Sequence, residues 1–364
     1  MSNTLSIRNL SISFKDNVKV VNKINLEIPS GKTVAIVGES GSGKTISALS
    51  ILKLLPAGAK IENGEIIYKG NDLLQLSDNQ IENIRGNKIT TIFQEPMLSL
   101  NPLHTIHKQI YEVLNVHSKA NKSTLRERTK QLLKEVNLEE LSDRKKIYSY
   151  ELSGGQRQRI MIAMSIANNP DLLIADEPTT ALDVTVQQQI LDLLKEIQIK
   201  RGMSILFISH DLGVVNKIAD YVYVMKNGKI IENAKKIEIF SNPKDLYTKQ
   251  LVNFQNKIKT EKKNSKNKIL SINNLKVWYP IKKGILRKTI DYVKAIDGIN
   301  FSLNEEETLG IVGESGSGKT SLVLAILKLI HFTGEIKFDN FDLNLINKNN
   351  LKNIKKNIQI VFQD

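Results

Sequence analysis

Cysteine is absent from the 364 residues of this chain. Disulfide bonds, thiolate catalysis and cysteine-held zinc or iron–sulfur sites are therefore excluded from its chemistry. The sequence also lacks any apolar run of roughly 18 residues or more, so it offers no candidate for a membrane-spanning helix. The first segment, MSNTLSIRNLSISF, has no basic stretch followed by an apolar one, the pattern that an export signal requires. Together these absences predict a cytoplasmic protein.

The chain is basic, with a formal net charge of +14. A positive balance is expected of proteins that bind nucleic acid or anionic membranes, but here the lysines are spread along the whole sequence. The densest cluster, residues 257–268, holds six lysines in twelve residues and has no apolar periodicity. We interpret it as a solvated linker in preference to a nucleic-acid-binding arm, and we predict no nucleic-acid partner.

One octapeptide is present twice: GESGSGKT occupies residues 38–45 and returns at 313–320. Both copies fit G-x-x-x-x-G-K-[ST], the loop that surrounds nucleotide phosphates. Small residues let backbone N–H groups approach phosphate oxygens, and a helix that starts at the loop directs its positive end at the anion. The lysine adds a charge near the outer phosphates, and the threonine hydroxyl is placed to hold Mg²⁺. We therefore predict two sites for a nucleoside triphosphate and Mg²⁺.

The flanks of the first copy support this interpretation. Residues 33–37, TVAIV, form a short β-branched run, and residues 46–55, ISALSILKLL, are apolar at helical spacing. Strand, loop and helix in succession is the context that distinguishes a phosphate loop from a chance glycine-rich turn. The predicted nucleotide-binding residues are Gly38, Ser40, Gly41, Ser42, Gly43, Lys44 and Thr45 in the first copy, and Gly313, Ser315, Gly316, Ser317, Gly318, Lys319 and Thr320 in the second.

Other candidate residues follow apolar segments. The run LLIAD (172–176) ends in a carboxylate and is followed by another, an arrangement that costs free energy unless the carboxylates are used. We predict that Asp176 reaches Mg²⁺ and that Glu177 polarises the attacking water, in preference to an ordinary surface acidic pair. Gln94 ends a predicted strand and is suited to sensing Mg²⁺ and water, and His210 ends another and is placed to contact the γ-phosphate.

The segment LSGGQ (152–156) starts a second glycine-led helix on the same domain, yet one nucleotide cannot occupy both helix ends. With the phosphate loop, Gln94, LLIADEP, ALD (181–183) and His210 in this order, the chain resembles the ATP-binding-cassette ATPases over essentially its whole length. In that family two cassettes meet head to tail, and LSGGQ of one closes over ATP held by the other. The resemblance adds to the nucleotide site Phe14 and Tyr279, which would stack on adenine or else pack in their sheets, and Ser153, Gly154, Gly155, Gln156, Asp183 and Gln363.

The implied fold is α/β: a P-loop ATPase cassette with a mixed core sheet and flanking helices, an antiparallel β subdomain and a helical subdomain. A partial second copy follows, because LSINNLKVWYP from residue 270 echoes LSIRNLSISFK, and IQIVFQD (358–364) matches the strand ITTIFQE. We predict a complete cassette over 1–250, a lysine-rich linker over 251–269 and a second cassette over 270–364 that ends at its glutamine loop.

Within the family, FQEPMLSLNPLHTI and the tail IFSNPKDLYTKQLV resemble the peptide/nickel importer branch. Two tandem cassettes resemble the fused ATPase subunit of oligopeptide importers of the microcin C type. The tail departs from the branch at Asp245-Leu246, where His-Pro is usual, and the cysteine cluster of many relatives is missing. The resemblance implies an ATPase at the cytoplasmic face of the inner membrane, bound to transmembrane permease subunits and, through them, to a solute-binding protein. The transported solute stays open.

Two rival functions come from other classes. A tandem-cassette translation factor acting on the ribosome would fit the positive charge, but such proteins usually carry a longer, helical linker between their cassettes. Cassette proteins of DNA repair are disfavoured because no long coiled-coil or zinc insertion interrupts the unit. The importer subunit is therefore the preferred hypothesis.

The second copy supplies a phosphate loop, but no LSGGQ, Asp-Glu pair or switch histidine follows it in 270–364. We therefore expect a truncated or split product in which the first cassette folds and the second half does not fold alone. Completion by a separate fragment or by another cassette subunit is the alternative, and a non-functional product is a further one.

Overall fold

The structure is a computed structural model. It describes residues 2–14, 18–94, 99–144, 146–180, 182–254, 267–283, 287–314, 316–339, 341–345, 354 and 356–362. The chain divides into two compact units, Met1–Ile258 and Lys259–Asp364. The predicted limits of the linker stay predictions, since most of it lies outside the described residues.

The first unit contains two sheets. An antiparallel sheet has the strand order β2-β1-β4-β5, which confirms the antiparallel β subdomain that the resemblance implies. A six-stranded sheet has the order β10-β9-β3-β8-β7-β6. The strands are β1 (Asn3–Ser13), β2 (Lys19–Pro29), β3 (Thr33–Val37), β4 (Lys60–Tyr68), β5 (Asn71–Asp72), β6 (Ile89–Ile92), β7 (Leu172–Asp176), β8 (Ser204–Ser209), β9 (Tyr221–Lys226) and β10 (Lys229–Lys235).

Five strands of the larger sheet run parallel, from β9 through β3, β8 and β7 to β6. Their carboxyl ends therefore lie along one edge, where a ligand site of an open parallel sheet is expected. The last strand, β10, pairs antiparallel with β9 through a turn at Asn227-Gly228. Both turn residues have positive φ, 47° and 74°, as a two-residue hairpin requires.

Helices pack against the larger sheet, and those that come between β6 and β7 in the sequence form a separate helical layer. Short 3₁₀ turns occur at Leu73–Gln75, Glu139–Leu141 and Ser149–Glu151. The described α-helices of the first unit are α1 (Lys44–Ile51), α2 (Asp78–Ile84), α3 (Ile106–His117), α4 (Lys122–Glu135), α5 (Gly154–Ser165), α6 (Val184–Arg201), α7 (Leu212–Ile218), α8 (Lys236–Ser241) and α9 (Leu246–Phe254). None of the described helices has the length and hydropathy that crossing a membrane would take.

Two apolar cores lie on opposite faces of the larger sheet. Along β3, Val34 and Ile36 belong to the core shared with the antiparallel sheet, whereas Ala35 and Val37 belong to the core shared with the helices. Successive side chains of a strand point to opposite faces, so a strand buried on both faces reads as an uninterrupted apolar run. The packing of β3 on both faces fixes the start of the phosphate loop that follows it.

The second unit holds an antiparallel sheet of order β12-β11-β13-β14 and one described α-helix. Its core is small and is built by apolar residues of these elements, including Leu270, Ile272, Leu275 and Ile336. The elements are β11 (Lys268–Lys283), β12 (Lys288–Asn304), β13 (Thr333–Phe338), β14 (Phe341–Asp342) and α10 (Lys319–Ile326).

The second unit departs from the first in two segments. Residues 308–312 precede the second phosphate loop as β3 precedes the first, and IQIVF at 358–362 matches the sequence of β6, but neither segment is a strand. In the first unit β3 obtains its ladder hydrogen bonds from β8 and β9. The described part of the second unit supplies no such neighbours, and Val312 and Val361 are 94% and 97% exposed. A segment with a strand-like sequence does not form a strand when no neighbouring strand supplies its ladder hydrogen bonds.

Phe207→Ala should lower the free energy of unfolding of the first unit by about 3–5 kcal/mol, because the ring is fully buried and its loss leaves a cavity. Ile199→Ala, at a helix position that is 74% exposed, is the control and should cost about 0.5 kcal/mol or less. Far-UV circular dichroism during urea unfolding measures both changes. Tryptophan fluorescence would not, because the single tryptophan, Trp278, belongs to the other unit. Equal midpoints for the two variants would contradict the core assignment.

Candidate active site

The first phosphate loop joins β3 to α1 and folds around the ammonium group of Lys44. Lys44 Nζ donates hydrogen bonds to the carbonyl oxygens of Gly38 at 2.8 Å and Glu39 at 2.7 Å. The residue is only 6% exposed. Burial lowers the pKa of Lys44, and the negative charges of Glu177 and Asp176 oppose that shift. The loop thus holds a nearly buried cation, whose natural ligand is an anion such as a phosphate.

Two glycines of the loop are required by close backbone contacts. A Cβ added to Gly38 would lie 2.1 Å from the carbonyl oxygen of Met225, and one added to Gly43 would lie 2.7 Å from that of Val20. Gly43 also has a φ of 102°, in the left-handed region that favours glycine. The loop therefore lies against β2 and β9. Of the other predicted residues, Ser42 is buried, whereas Ser40 and Gly41 are exposed at the loop tip.

Asp176 ends β7 beside the start of α1. Burial raises the pKa of its carboxyl group; the Thr45 hydroxyl opposes this shift, the charge of Glu177 adds to it, and Lys44 opposes it. Oδ1 of Asp176 is buried and has no hydrogen-bond partner among the described residues. A buried carboxylate oxygen without a partner fits a cation.

Thr45 and Asp176 would hold Mg²⁺, which in nucleotide sites takes one or two protein oxygens and completes its shell with phosphates and water. No group of three or more His, Asp or Glu side chains with metal-binding geometry occurs in the described part of the chain.

Glu177 has a strained backbone and a fixed side chain. Its φ is +47°, a conformation uncommon for a residue with a side chain and frequent at functional sites. Its N–H donates to the Ile208 carbonyl at 2.9 Å, which ties the residue to β8. Oε1 lies 2.9 Å from Nδ1 of His210, and Oε2 accepts hydrogen bonds from Gln94 Nε2 and Thr180 Oγ1, both at 3.0 Å.

The ends of three adjacent strands thus meet at one carboxylate. Gln94 follows β6, Glu177 follows β7 and His210 follows β8, so the structure brings together the three predicted catalytic residues. Burial raises the pKa of Glu177, but the hydrogen bonds from His210, Thr180 and Gln94 outweigh it and leave the pKa below its usual value. Glu177 is therefore ionised near neutral pH, as a base or water-orienting group must be.

The LSGGQ segment forms the start of α5. Ser153 Oγ accepts from the Gln156 N–H at 3.2 Å, and the Ser153 N–H donates to Gln156 Oε1 at 3.1 Å, which is a reciprocal capping box. Gly155 has no room for a side chain, since an added Cβ would lie 2.7 Å from Val186. Ser153 and Gly154 are exposed, and no described hydrogen bond links them to the phosphate loop of their own unit. This placement leaves the helix end open to a ligand from outside the unit.

Asp183 and Phe14, two further residues predicted at the nucleotide site, make hydrogen bonds that stabilise local structure. Asp183 caps α6, and its Oδ1 accepts from the Val186 N–H at 3.0 Å. Phe14 lies half-buried at the end of β1, where its N–H donates to the Val18 carbonyl at 3.0 Å. Their roles toward a nucleotide stay predictions.

The second phosphate loop repeats the lysine contacts of the first. Lys319 Nζ donates to the carbonyl oxygens of Gly313 and Glu314, both at 2.7 Å, and α10 begins at this lysine. Tyr279 lies close by, with its hydroxyl 3.3 Å from Ser321 Oγ. Gly316, Ser317 and Thr320 are exposed, and the predicted residues Ser315 and Gln363 lie outside the described residues.

Two contacts of the first site were not predicted from the sequence. Thr180 donates to Glu177, and it lies three residues after that carboxylate in the same turn. Tyr247, on α9, accepts a hydrogen bond from the Glu39 N–H of the phosphate loop at 3.1 Å. The tail containing Tyr247 was noted only for its resemblance to importer sequences, because a contact between residues 208 positions apart leaves no local pattern.

Phe14→Ala should raise the dissociation constant for ATP about tenfold if the ring stacks on adenine, because base–aromatic stacking is worth about 1–3 kcal/mol. GTP affinity should fall similarly, since stacking depends little on the base. Equilibrium titration with a fluorescent ATP analogue measures the change, and Phe14→Tyr, which keeps a ring, is the control. An unchanged affinity in Phe14→Ala would assign the residue to sheet packing alone.

Comparison with known proteins agrees with the motifs. The family model described as "ABC transporter" matches residues 21–180 and 296–364. A protein of Agrobacterium fabrum named peptidoglycan transport ATP-binding protein YejF is 48% identical over 99% of this chain and 67% of its own length. The glutathione import ATP-binding protein GsiA of Shigella flexneri is 36% identical, and the chain spans 64% of that relative's length.

Solved structures show the same fold. The dimeric ABC transporter cassette MJ0796 matches with a TM-score of 0.57 and 29% identity, over 64% of this chain and 98% of that one. A post-hydrolysis form of MJ0796, bound to ADP and Pi, matches equally well. CbiO1 of Clostridium perfringens, part of the ABC transporter complex CbiONQ, gives a TM-score of 0.60 with 28% identity, over 66% of this chain and 92% of that one. The sequence and structural matches together show that this chain belongs to the ABC transporter family and is an ATP-binding cassette ATPase with the P-loop fold.

Proposed function

We propose that this chain drives the import of peptides or chemically similar solutes, with two cassettes carried in tandem. The relatives support this class of solute, because peptidoglycan and glutathione, which their names mention, both contain peptide bonds. The repeated phosphate loop supports the tandem arrangement, since the family match itself falls in two segments. The partners would be transmembrane permease subunits and a solute-binding protein, and the site of action would be the cytoplasmic face of the inner membrane.

The proposed hydrolysis uses the residues of the first site in distinct roles. Lys44 would exchange its contacts with the loop carbonyls for the outer phosphates of ATP. Thr45 and Asp176 would hold Mg²⁺, which neutralises phosphate charge when it is bound. Glu177 orients the attacking water and accepts its proton, while His210 and Gln94 hold the carboxylate in place. LSGGQ, with Ser153 exposed, would complete the site of another cassette.

A groove beside this site is suited to a helix of a permease. Its volume is about 300 Å³, and its walls include Leu100, Val113, Met161 and Met164. Phe93 also lines it and is 45% exposed. An apolar, methionine-containing groove is a common acceptor for an apolar helix face. A permease, which lies in the membrane and exposes apolar helices, is the partner whose chemistry fits.

The observation that carries the proposal is the hydrogen bond between Gln94 and Glu177. Gln94 directly follows Phe93 of the groove. A helix seated in the groove would therefore contact the residue next to Gln94, whose side chain donates a hydrogen bond to the hydrolytic carboxylate. This connection is what an ATPase coupled to transport needs. A translation factor acting on the ribosome has no corresponding support, since the matching relatives are named for transport and import.

Glu177→Gln should leave ATP binding intact and slow hydrolysis by about 10²–10⁴-fold, the usual contribution of a general base. The amide keeps the shape of the side chain but cannot accept the proton. Glu196→Gln, at an exposed position of α6, is the matched control and should hydrolyse ATP like the parent. Steady-state phosphate release in the assembled complex measures the rates. Equal turnover in Glu177→Gln and the parent would remove Glu177 from this role.

Affinity purification tests the partner. Permease subunits should co-purify with the parent chain and with Leu103→Asp, a control at a position that is 83% exposed. Phe93→Asp should lose them at least tenfold while the free chain still binds ATP, because a charge in the groove opposes an apolar helix. Retention of permeases by Phe93→Asp would exclude the groove, and sedimentation with ribosomes instead of permeases would favour the rival function.

A further inference from the structure

We propose that Tyr247 is a positioning residue for the first phosphate loop and acts through the peptide unit between Gly38 and Glu39. The inference rests on nucleotide binding at this loop, which the family provides, and does not depend on the importer role.

Tyr247 and Lys44 bind the two ends of one peptide group. The Tyr247 hydroxyl accepts a hydrogen bond from the Glu39 N–H at 3.1 Å, and the Gly38 carbonyl accepts one from Lys44 Nζ at 2.8 Å. This N–H and this C=O belong to the same planar, trans peptide, so they point in opposite directions and rotate together. Fixing the N–H therefore fixes the carbonyl that receives the ammonium of Lys44.

Tyr247 is itself held firmly. It is 6% exposed, and the ammonium of Lys226 lies 4.3 Å from the centre of its ring. The Tyr247 N–H donates to Asp245 Oδ1 at 2.8 Å. The carboxylate of Glu232, on β10, accepts from the N–H groups of Lys244 at 2.8 Å and Asp245 at 3.0 Å. The start of α9 is thus attached to the sheet, and the hydroxyl cannot move independently of it.

A second contact supports the loop from another side. The Gly228 N–H, in the turn between β9 and β10, donates to the Ser42 carbonyl at 3.0 Å. The loop is therefore held near its start by Tyr247 and near its end by this turn. A loop that is ordered before the nucleotide arrives does not lose conformational freedom on binding, which improves affinity.

The second phosphate loop provides an internal comparison. Lys319 Nζ donates a hydrogen bond to the Gly313 carbonyl at 2.7 Å, as Lys44 Nζ does to the Gly38 carbonyl. Among the described residues of that unit, no side chain accepts a hydrogen bond from the N–H of Glu314, the counterpart of Glu39. Lys319 is also less buried than Lys44. The lysine contact with the first glycine is thus made within the octapeptide in both loops, whereas the contact of the first loop with Tyr247 is made by a residue outside the octapeptide.

Tyr247→Phe tests the inference, because it removes the hydroxyl and keeps the ring. Tyr223→Phe is a matched control: its hydroxyl also accepts from the backbone N–H of a glutamate at the same 3.1 Å, but this glutamate, Glu27, is not part of the phosphate loop. Both variants are made in the full chain carrying Lys319→Ala, so that the first loop is measured alone. Equilibrium titration with a fluorescent ATP analogue and urea unfolding are recorded for each.

We expect Tyr247→Phe to raise the dissociation constant three- to tenfold, the range expected for one neutral hydrogen bond, and Tyr223→Phe to leave it unchanged. Both should lower the unfolding midpoint alike. At saturating ATP, the hydrolysis rate of Tyr247→Phe should equal that of the parent, since the contact acts on binding.

A second background separates positioning from general stability. With Lys44→Ala, the Gly38 carbonyl has lost its ammonium partner, so adding Tyr247→Phe should change the affinity less than twofold. Equal affinities of Tyr247→Phe and the parent would overturn the inference, as would the same loss in the Lys44→Ala background or in Tyr223→Phe. A parent chain that binds no ATP would instead overturn nucleotide binding itself, and the positioning role with it.

Discussion

The burial of one ammonium group governs the first site. Lys44 is nearly excluded from water, and a cation removed from water must be surrounded by oxygen atoms or lose its charge. The loop meets this demand by turning carbonyl groups inward, and only glycine lets its backbone lie so close to β2 and β9. A nucleotide that binds here exchanges weak carbonyl partners for phosphate charges. The affinity of the site and the conformation of the loop thus have a common cause.

The parallel sheet positions the predicted catalytic side chains. The carboxyl ends of β6, β7 and β8 deliver Gln94, Glu177 and His210 to one point, although these residues are far apart in sequence. Since the strands are buried on both faces, their ends cannot shift without disturbing two cores. Glu177 is held in an unfavourable backbone conformation by this framework and is kept ionised by its hydrogen bonds. The packing of the two cores therefore stabilises the position of the hydrolytic carboxylate.

Much of the first unit could be predicted from the sequence. Apolar runs such as TVAIV and LLIAD marked the central strands, and the glycines, Lys44 and the carboxylates carried their chemistry in their spacing. Contacts between residues distant in sequence, such as that of Tyr247 with Glu39, leave no local pattern that could predict them. Thr180 lies only three residues after Glu177, but a threonine at this spacing is not a distinctive signal. The second unit shows the converse limit. Residues 308–312 have a strand pattern, yet they are not a strand, because a strand requires a partner as well as a sequence.

The central claim is that the buried lysine of the first loop makes a nucleotide site, and calorimetric titration of the full chain with Mg²⁺ and ATP tests it most directly. Lys44→Ala should weaken the tighter binding about 10- to 100-fold, since hydrogen bonds to charged groups are each worth about 1.5–3 kcal/mol. Lys319→Ala, the equivalent change in the second loop, should leave that binding in place. Tight binding that survives Lys44→Ala, or that disappears only with Lys319→Ala, would contradict the account.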